Sequence, residues 1–123
     1  MKKLTCIIVD DQSFCISLLS NHVMRFEDLI LLHSFIDPCS AMDYLLNQEG
    51  TDILFTDVEM DDISGITLAE AVEDKVKHIV FVTSHSKYEL QPNLRKQWHY
   101  LSKPTSFINF QELFRYLQSK NEY

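Results

Sequence analysis

The chain has 123 residues, of which 46% are hydrophobic and 24% charged, and its formal net charge is −7. This balance predicts a single globular domain, residues 1–123, that is large enough for a hydrophobic core. The negative charge argues against a surface for polyanions, so we expect no direct nucleic acid binding by this chain.

The first apolar run ends at Asp10 and is too short for a signal sequence or a membrane span, which predicts a cytoplasmic protein without membrane contact. The three cysteines are widely spaced and include no CxxC pair. This spacing predicts reduced cysteines in the core rather than a zinc site.

Five short apolar segments alternate along the chain with segments of helical periodicity. The predicted strands are Leu4–Val9, Leu29–Phe35, Ile53–Thr56, His78–Val82 and Trp98–Leu101. The first, third and fourth are almost continuously apolar, which is typical of central parallel strands, whereas the second and fifth are mixed and are expected nearer the edges.

The segments between the strands predict helices with one buried face. One apolar stripe comprises Ile16, Leu19, Val23 and Phe26, and another comprises Phe110, Leu113, Phe114 and Leu117. Asp37 and Pro38 predict a helix start, and a shorter helix is expected from about Gly65 to Asp74. Five such units predict a parallel sheet covered by helices on both faces, with the ligand site beyond the carboxyl ends of its strands.

Polar residues follow four of these strands and are expected at that edge. They are Asp10, Asp11, Asp57, Thr83 and Lys103. Three neighbouring carboxylates require a counter-charge, and oxygen ligands without histidine or cysteine favour Mg²⁺ over zinc. Asp57, at the end of the central strand, is the candidate nucleophile towards phosphorus, while Lys103 offsets charge and Thr83 donates a hydrogen bond.

The motifs "VDD", "DVEMDDISG", "VFVTS" and "YLSKP" together resemble the receiver domains of two-component response regulators, over essentially the whole chain. The details "ISG" and "KPTSF" are most similar to receivers that precede LytTR-type DNA-binding domains. The resemblance implies a CheY-like, flavodoxin-like α/β fold with five strands in the order 2-1-3-4-5. It also implies that Asp57 is the phosphoacceptor.

The resemblance implies further roles, residue by residue. Asp11 and Asp57 would bind Mg²⁺ directly, Asp10 would act largely through water, and Glu59 would contribute its backbone carbonyl. The phosphoryl oxygens would be held by Thr83, Ser84 and Lys103. Thr83 and Tyr100 would form the conformational switch, and Glu59 and His85 would tune the lifetime of the phosphate.

A sensor histidine kinase or phosphotransfer protein would supply the phosphoryl group, and the domain would catalyse only its own phosphorylation and dephosphorylation. The output face would comprise a helix after the fourth strand, the fifth strand and the C-terminal helix. Its partner is either another protein or a C-terminal effector domain. Asp61 and Pro92 depart from the family pattern, and Pro92 places that helix in doubt because an interior proline disrupts helices.

Three alternatives stay open on the sequence. A phosphorylation-independent interaction module fits the interrupted helix but not the presence of Asp11, Asp57, Thr83 and Lys103. A Mg²⁺-dependent phosphatase could use Glu59 as a general acid. A flavodoxin is disfavoured because "DDQSFC" offers acids where a phosphate cradle needs backbone amides.

Overall fold

A parallel five-stranded sheet forms the centre of the molecule. The computed structural model of the chain describes residues 2–84 and 97–120. The elements within these ranges are β1 (Leu4–Val9), α1 (Ser13–Val23), β2 (Leu29–Phe35), α2 (Pro38–Leu46), β3 (Thr51–Thr56), α3 (Gly65–Val72), β4 (Val76–Thr83), β5 (Trp98–Ser102) and α4 (Phe107–Lys120). The strand order is β2-β1-β3-β4-β5, which confirms the predicted flavodoxin-like topology.

The central strands are more deeply buried than the edge strands. Ile7 and Ile8 of β1 are fully buried, as are Ile53 and Leu54 of β3. Most residues of the edge strands β2 and β5 are partly buried or exposed, and each of these strands has only one buried residue. Burial on both faces requires the continuous apolarity seen in the central strands, so the predicted distinction between centre and edge is confirmed.

Each face of the sheet carries its own hydrophobic core. Ile8, Phe55 and Val80 pack on the side of α1 and α4, where Phe110 and Phe114 are also buried. The alternate positions, which include Ile7, Leu54 and Phe81, pack on the side of α2 and α3. Adjacent strand residues point to opposite faces, so α1 and α4 cover one side while α2 and α3 cover the other.

Local capping explains where two helices begin. The carboxylate of Asp37 accepts a hydrogen bond from the Cys39 N–H at 3.1 Å, and Pro38 follows as the first residue of α2, as predicted. The Ser64 hydroxyl likewise accepts a hydrogen bond from the Thr67 N–H at 3.1 Å at the start of α3.

The predicted boundaries were wrong by a few residues in several elements: β3 begins at Thr51 rather than Ile53, and β4 spans Val76–Thr83 rather than His78–Val82. Helix α3 ends at Val72 rather than Asp74, and Phe26 lies beyond the end of α1. Phe26 is nevertheless buried, because the chain turns after α1 and returns its ring to the core. The predicted helix around Pro92 lies outside the described residues.

The prediction of three core cysteines holds only for Cys6. Its thiol is buried, and desolvation, with a smaller contribution from the charge of Asp52, raises its pKa to about 12. Cys15 is only partly buried and Cys39 is exposed, because Cys39 lies on the solvent side of the first turn of α2. All three thiols are free. Among the described helices, none is both long and apolar enough to cross a membrane.

Candidate functional site

Strand pairing brings the chemically interesting residues to one edge of the sheet. Val9 of β1 pairs with Thr56 of β3, and Thr83 of β4 pairs with Ser102 of β5. Backbone hydrogen bonds continue this register by one residue, from the Asp57 N–H to the Val9 carbonyl at 3.1 Å and from the Lys103 N–H to the Thr83 carbonyl at 3.0 Å. The residues that follow these strands therefore share one edge: Asp10, Asp57 and Lys103.

Three carboxylates form a cluster at this edge. One oxygen atom from each of Asp10, Asp11 and Asp57 lies within 4.8 Å of the others. Asp10 and Asp57 are buried, with exposed fractions of 1% and 9%, whereas Asp11 is exposed. Such an oxygen-only donor set, open on one side, fits a small hard cation such as Mg²⁺.

The Lys103 side chain bridges the two buried carboxylates. Its Nζ atom lies 2.8 Å from Asp10 Oδ2 and 3.3 Å from Asp57 Oδ2. Burial works to lower the pKa of Lys103, but the hydrogen bond and negative charge of Asp10, with the charge of Asp57, raise it overall. The ammonium group therefore stays protonated and supplies the counter-charge that the two acids require.

The pKa of Asp57 is raised above its ordinary value. Burial is the largest cause, and it outweighs the opposing attraction of Lys103, while the charge of Asp10 raises the pKa further. Keeping Asp57 ionised in this site therefore costs free energy, and additional positive charge nearby would reduce that cost.

Backbone amides fix the other oxygen of each buried carboxylate. Asp57 Oδ1 accepts a hydrogen bond from the Val58 N–H at 2.8 Å, and Asp10 Oδ1 accepts one from the Gln12 N–H at 2.9 Å. Each Oδ2 atom is then the one directed at Lys103. In each of the two carboxylates, a backbone amide therefore holds one oxygen and Lys103 holds the other.

Gly65 packs directly behind Asp57, a contact that the sequence did not predict. Its N–H donates to the Val58 carbonyl at 2.8 Å. A Cβ atom at this position would lie 1.8 Å from the carbonyl oxygen of Asp57, a distance that no side chain can occupy. The available signal was composition, since the chain has only two glycines and one of them follows the Asp57 loop.

The other predicted site residues differ in exposure. Thr83 is fully buried at the end of β4, and the next residue, Ser84, is exposed. Glu59 and Asp61 are exposed in the loop after β3, and Asp61 is not part of the carboxylate cluster. His85 lies outside the described residues.

Tyr100, the predicted switch residue, is partly buried on β5. Its ring centroid lies 5.5 Å from that of Phe81, on the side of α2 and α3, and burial raises the pKa of its hydroxyl. The ring therefore packs against the sheet in this structure, and its role as a switch stays a prediction.

Comparison with known proteins agrees with this architecture. Residues 6–115 match the family described as response regulator receiver domain. The chain is 28% identical over 104 residues to an uncharacterized response regulatory protein of Vibrio vulnificus, covering 82% of this chain and 42% of that protein. It is 29% identical over 100 residues to the sensory transduction protein LytT of Enterococcus faecalis, covering 80% and 41% respectively.

The fold agrees with solved structures as well. The crystal structure of the response regulatory domain of protein mrkE from Klebsiella pneumoniae superposes with a TM-score of 0.84 at 21% identity, covering 95% of this chain and 97% of that chain. The chain spans about two fifths of the length of the curated relatives it matches. Because the family match covers most of the sequence, the chain belongs to the response regulator receiver domain family.

Proposed function

We propose that residues 1–123 form a cytoplasmic, phosphoaccepting receiver domain that takes a phosphoryl group onto Asp57 from a sensor histidine kinase or phosphotransfer protein. The observation that carries this proposal is the position of the Asp57 carboxylate. It lies in the carboxylate cluster, held by a backbone amide, with the Lys103 ammonium group 3.3 Å from its second oxygen.

In the proposed transfer, a carboxylate oxygen of Asp57 attacks the phosphorus atom of a phosphohistidine. A P–O bond forms and the P–N bond breaks, and the departing imidazole nitrogen keeps the electron pair. Lys103 offsets the negative charge on the phosphoryl oxygens, and the hydroxyl groups of Thr83 and Ser84 donate hydrogen bonds to them. Positioning and charge neutralisation are the whole contribution of the domain.

The carboxylate cluster is the proposed Mg²⁺ site. Asp11 and Asp57 would bind the ion directly, Asp10 largely through water, and Glu59 through its backbone carbonyl. When bound, Mg²⁺ supplies positive charge that offsets the acids and the phosphoryl oxygens. The pKa of Asp57, which is raised chiefly by burial and further by the charge of Asp10, supports this proposal, because a bound cation would offset both effects.

Phosphorylation would act as a switch through Thr83 and Tyr100. A phosphoryl group on Asp57 gives Thr83 and Lys103 a new partner in one conformation only, which shifts a pre-existing equilibrium. Tyr100 lies on β5, the strand that also leads into Lys103, so movement there would alter the surface formed by β5 and α4. That surface would then bind either a separate protein or an effector domain of the same polypeptide.

Intact-mass measurement after incubation with acetyl phosphate tests the proposal. We expect a Mg²⁺-dependent gain of one phosphoryl group that is absent in Asp57→Asn. Asp61→Asn is the matched control, since it removes an exposed acid from the same loop outside the cluster. A folded protein that gains nothing, or a gain that persists in Asp57→Asn, would refute phosphorylation at Asp57.

The proposed tuning of the phosphate lifetime has a separate test. In the sequence, Glu59 and His85 lie two residues after Asp57 and Thr83, and the resemblance to receiver domains implies a place beside the attacking water molecule. We expect Glu59→Ala and His85→Ala to change the rate of dephosphorylation. Unchanged rates in both variants would remove these residues from the mechanism.

A further inference from the structure

The buried histidine of α1, His22, is unexpected in its surroundings. It lies on the apolar face of the helix, next to Val23, and only 9% of its surface is exposed. Its ring packs against two aromatic side chains of α4, with centroid distances of 5.6 Å to Phe107 and 5.5 Å to Phe110. An apolar side chain would fill this position without the cost of burying a polar ring.

A hydrogen bond to a distant loop accounts for the histidine. The Nε2 atom of His22 lies 2.8 Å from the backbone carbonyl oxygen of Thr105, 83 positions along the chain. Because a carbonyl can only accept, Nε2 carries the proton and donates it. Thr105 is itself 3% exposed, so this carbonyl depends on a protein donor rather than on water.

The Thr105 carbonyl belongs to the short loop that carries Lys103. The Thr105 hydroxyl donates to the Ser102 carbonyl at 3.0 Å, which closes the loop on itself. The Lys103 N–H donates to the Thr83 carbonyl at 3.0 Å and anchors the loop to β4. His22 provides a second anchor, from α1, on the other side of Lys103.

We propose that His22 is a positioning residue for phosphoryl transfer, which acts through Thr105 to hold the Lys103 ammonium group at Asp10 and Asp57. This inference rests on the proposed function of the site. Lys103 must meet two carboxylates at once, at 2.8 Å and 3.3 Å, so a displacement of its backbone would disturb at least one of these contacts. Geometric errors of about 1 Å near reacting groups can cost about a hundredfold in rate.

Two variants of His22 separate this role from packing. His22→Leu keeps an apolar face on α1 but leaves the Thr105 carbonyl without its donor, whereas His22→Gln keeps a donor. Val23→Ala is the matched control, because it weakens the same core from the neighbouring position without touching the hydrogen bond. His22→Met serves as a second apolar variant if His22→Leu does not fold.

The first measurement is the rate constant for phosphorylation by acetyl phosphate with Mg²⁺. We expect a reduction of about tenfold or more in His22→Leu or His22→Met, and of less than about threefold in His22→Gln and Val23→Ala. An unchanged rate in the apolar variants would overturn the proposal. So would an equal loss in Val23→Ala at matched stability, which would mean that the core alone matters.

Amide hydrogen exchange in the unphosphorylated protein supplies a readout that does not depend on the proposed chemistry. Exchange at Lys103 should accelerate in His22→Leu relative to exchange at Asp57, whose N–H bonds to β1. If the wild type is never phosphorylated, the proposed function fails, and exchange at Lys103 alone decides whether His22 positions the loop. If the wild type is phosphorylated and neither rate nor exchange responds to His22→Leu, only the positioning role fails.

Discussion

A single ammonium group serves two buried carboxylates at the candidate site. Lys103 contacts Asp10 and Asp57, and its side chain is only 17% exposed. Water therefore cannot replace the positive charge with which Lys103 compensates the two carboxylates. Removing one partner from a buried ionic cluster costs more than the intact cluster contributes, because an uncompensated charge is left behind. Lys103 is therefore expected to matter for stability as well as for chemistry.

Replacing Lys103 with Met should lower the free energy of unfolding by about 3 kcal/mol, the lower end of the range expected when one partner of a buried ion pair is removed. Urea denaturation without Mg²⁺ measures this loss. Lys77→Met is the control, because Lys77 pairs with Asp52 at 3.4 Å while its side chain is 56% exposed. Such exposed pairs contribute about 0 to 1 kcal/mol. Equal losses in the two variants would contradict the idea that Lys103 compensates buried charge.

The two glycines of the chain offer a matched pair of substitutions. Gly65→Ala would place a Cβ atom 1.8 Å from the Asp57 carbonyl oxygen, so we expect a loss of stability of about 1 to 3 kcal/mol despite the better helix propensity of alanine. Phosphorylation of the displaced Asp57 should also slow. Gly50→Ala meets only the Lys75 carbonyl at 3.8 Å and should change stability by less than about 0.5 kcal/mol. Urea denaturation measures these changes. If Gly65→Ala leaves the free energy of unfolding unchanged, the Asp57 loop moves to make room for the added Cβ atom.

At the scale of secondary structure, β5 contains a pH-sensitive group. His99 has its ring centroid 5.4 Å from that of His78 on β4 and 6.1 Å from that of Tyr116 on α4. Burial, followed by the charge of His78, lowers the pKa of His99 from 6.5 to about 4. The unfolded chain therefore takes up a proton at His99 before the folded protein does, and stability falls as the pH drops from about 6.5 towards about 4.

His99→Phe should flatten this dependence. We would measure the free energy of unfolding of both proteins by urea denaturation at about pH 7.5 and about pH 5. Between these pH values the wild type should lose more stability than His99→Phe. Carboxylates titrate in the same range in both proteins, so only the difference between them is informative. A difference that stays constant with pH would mean that His99 is accessible to protons in the folded state.

The order of the elements could be predicted from the sequence because it depends on local pattern. Continuous apolar runs mark the central strands, and chain order with right-handed crossovers then places the strand ends together. This reasoning reached Asp10, Asp57 and Lys103. It did not reach Gly65 or His22, because their contacts join distant segments through side-chain geometry that no period in the sequence encodes.

The same limit applies to the far end of the molecule. The fully buried Gln118 of α4 donates to the Lys2 carbonyl at 2.7 Å and to Asp28 Oδ2 at 2.8 Å, while Arg115 contacts Asp28 at 2.7 Å. These bonds connect helix α4 to the residues just before β1 and β2. Each of these bonds joins residues that lie more than 80 positions apart in the sequence. No local sequence pattern indicates that they meet.

For the whole molecule, charge is the property that Mg²⁺ should change most. The chain carries a formal net charge of −7, and its cluster of three carboxylates includes one with a raised pKa. An ion that binds only the folded state stabilises it through mass action, by about 2.7 kcal/mol at a concentration of about 100 times its Kd. Urea denaturation at increasing Mg²⁺ concentration should therefore show a progressive gain in the wild type and in Asp61→Asn. Asp57→Asn should gain much less stability from Mg²⁺, because it lacks a proposed ligand.

General screening of the acidic surface predicts a different result. In that case NaCl at matched ionic strength would stabilise the wild type as much as Mg²⁺ does, and Asp57→Asn would gain as much stability as the wild type. Either of those outcomes would contradict specific binding of Mg²⁺ at the carboxylate cluster. Lys103 would then be the counter-charge of the buried carboxylates without help from a metal ion.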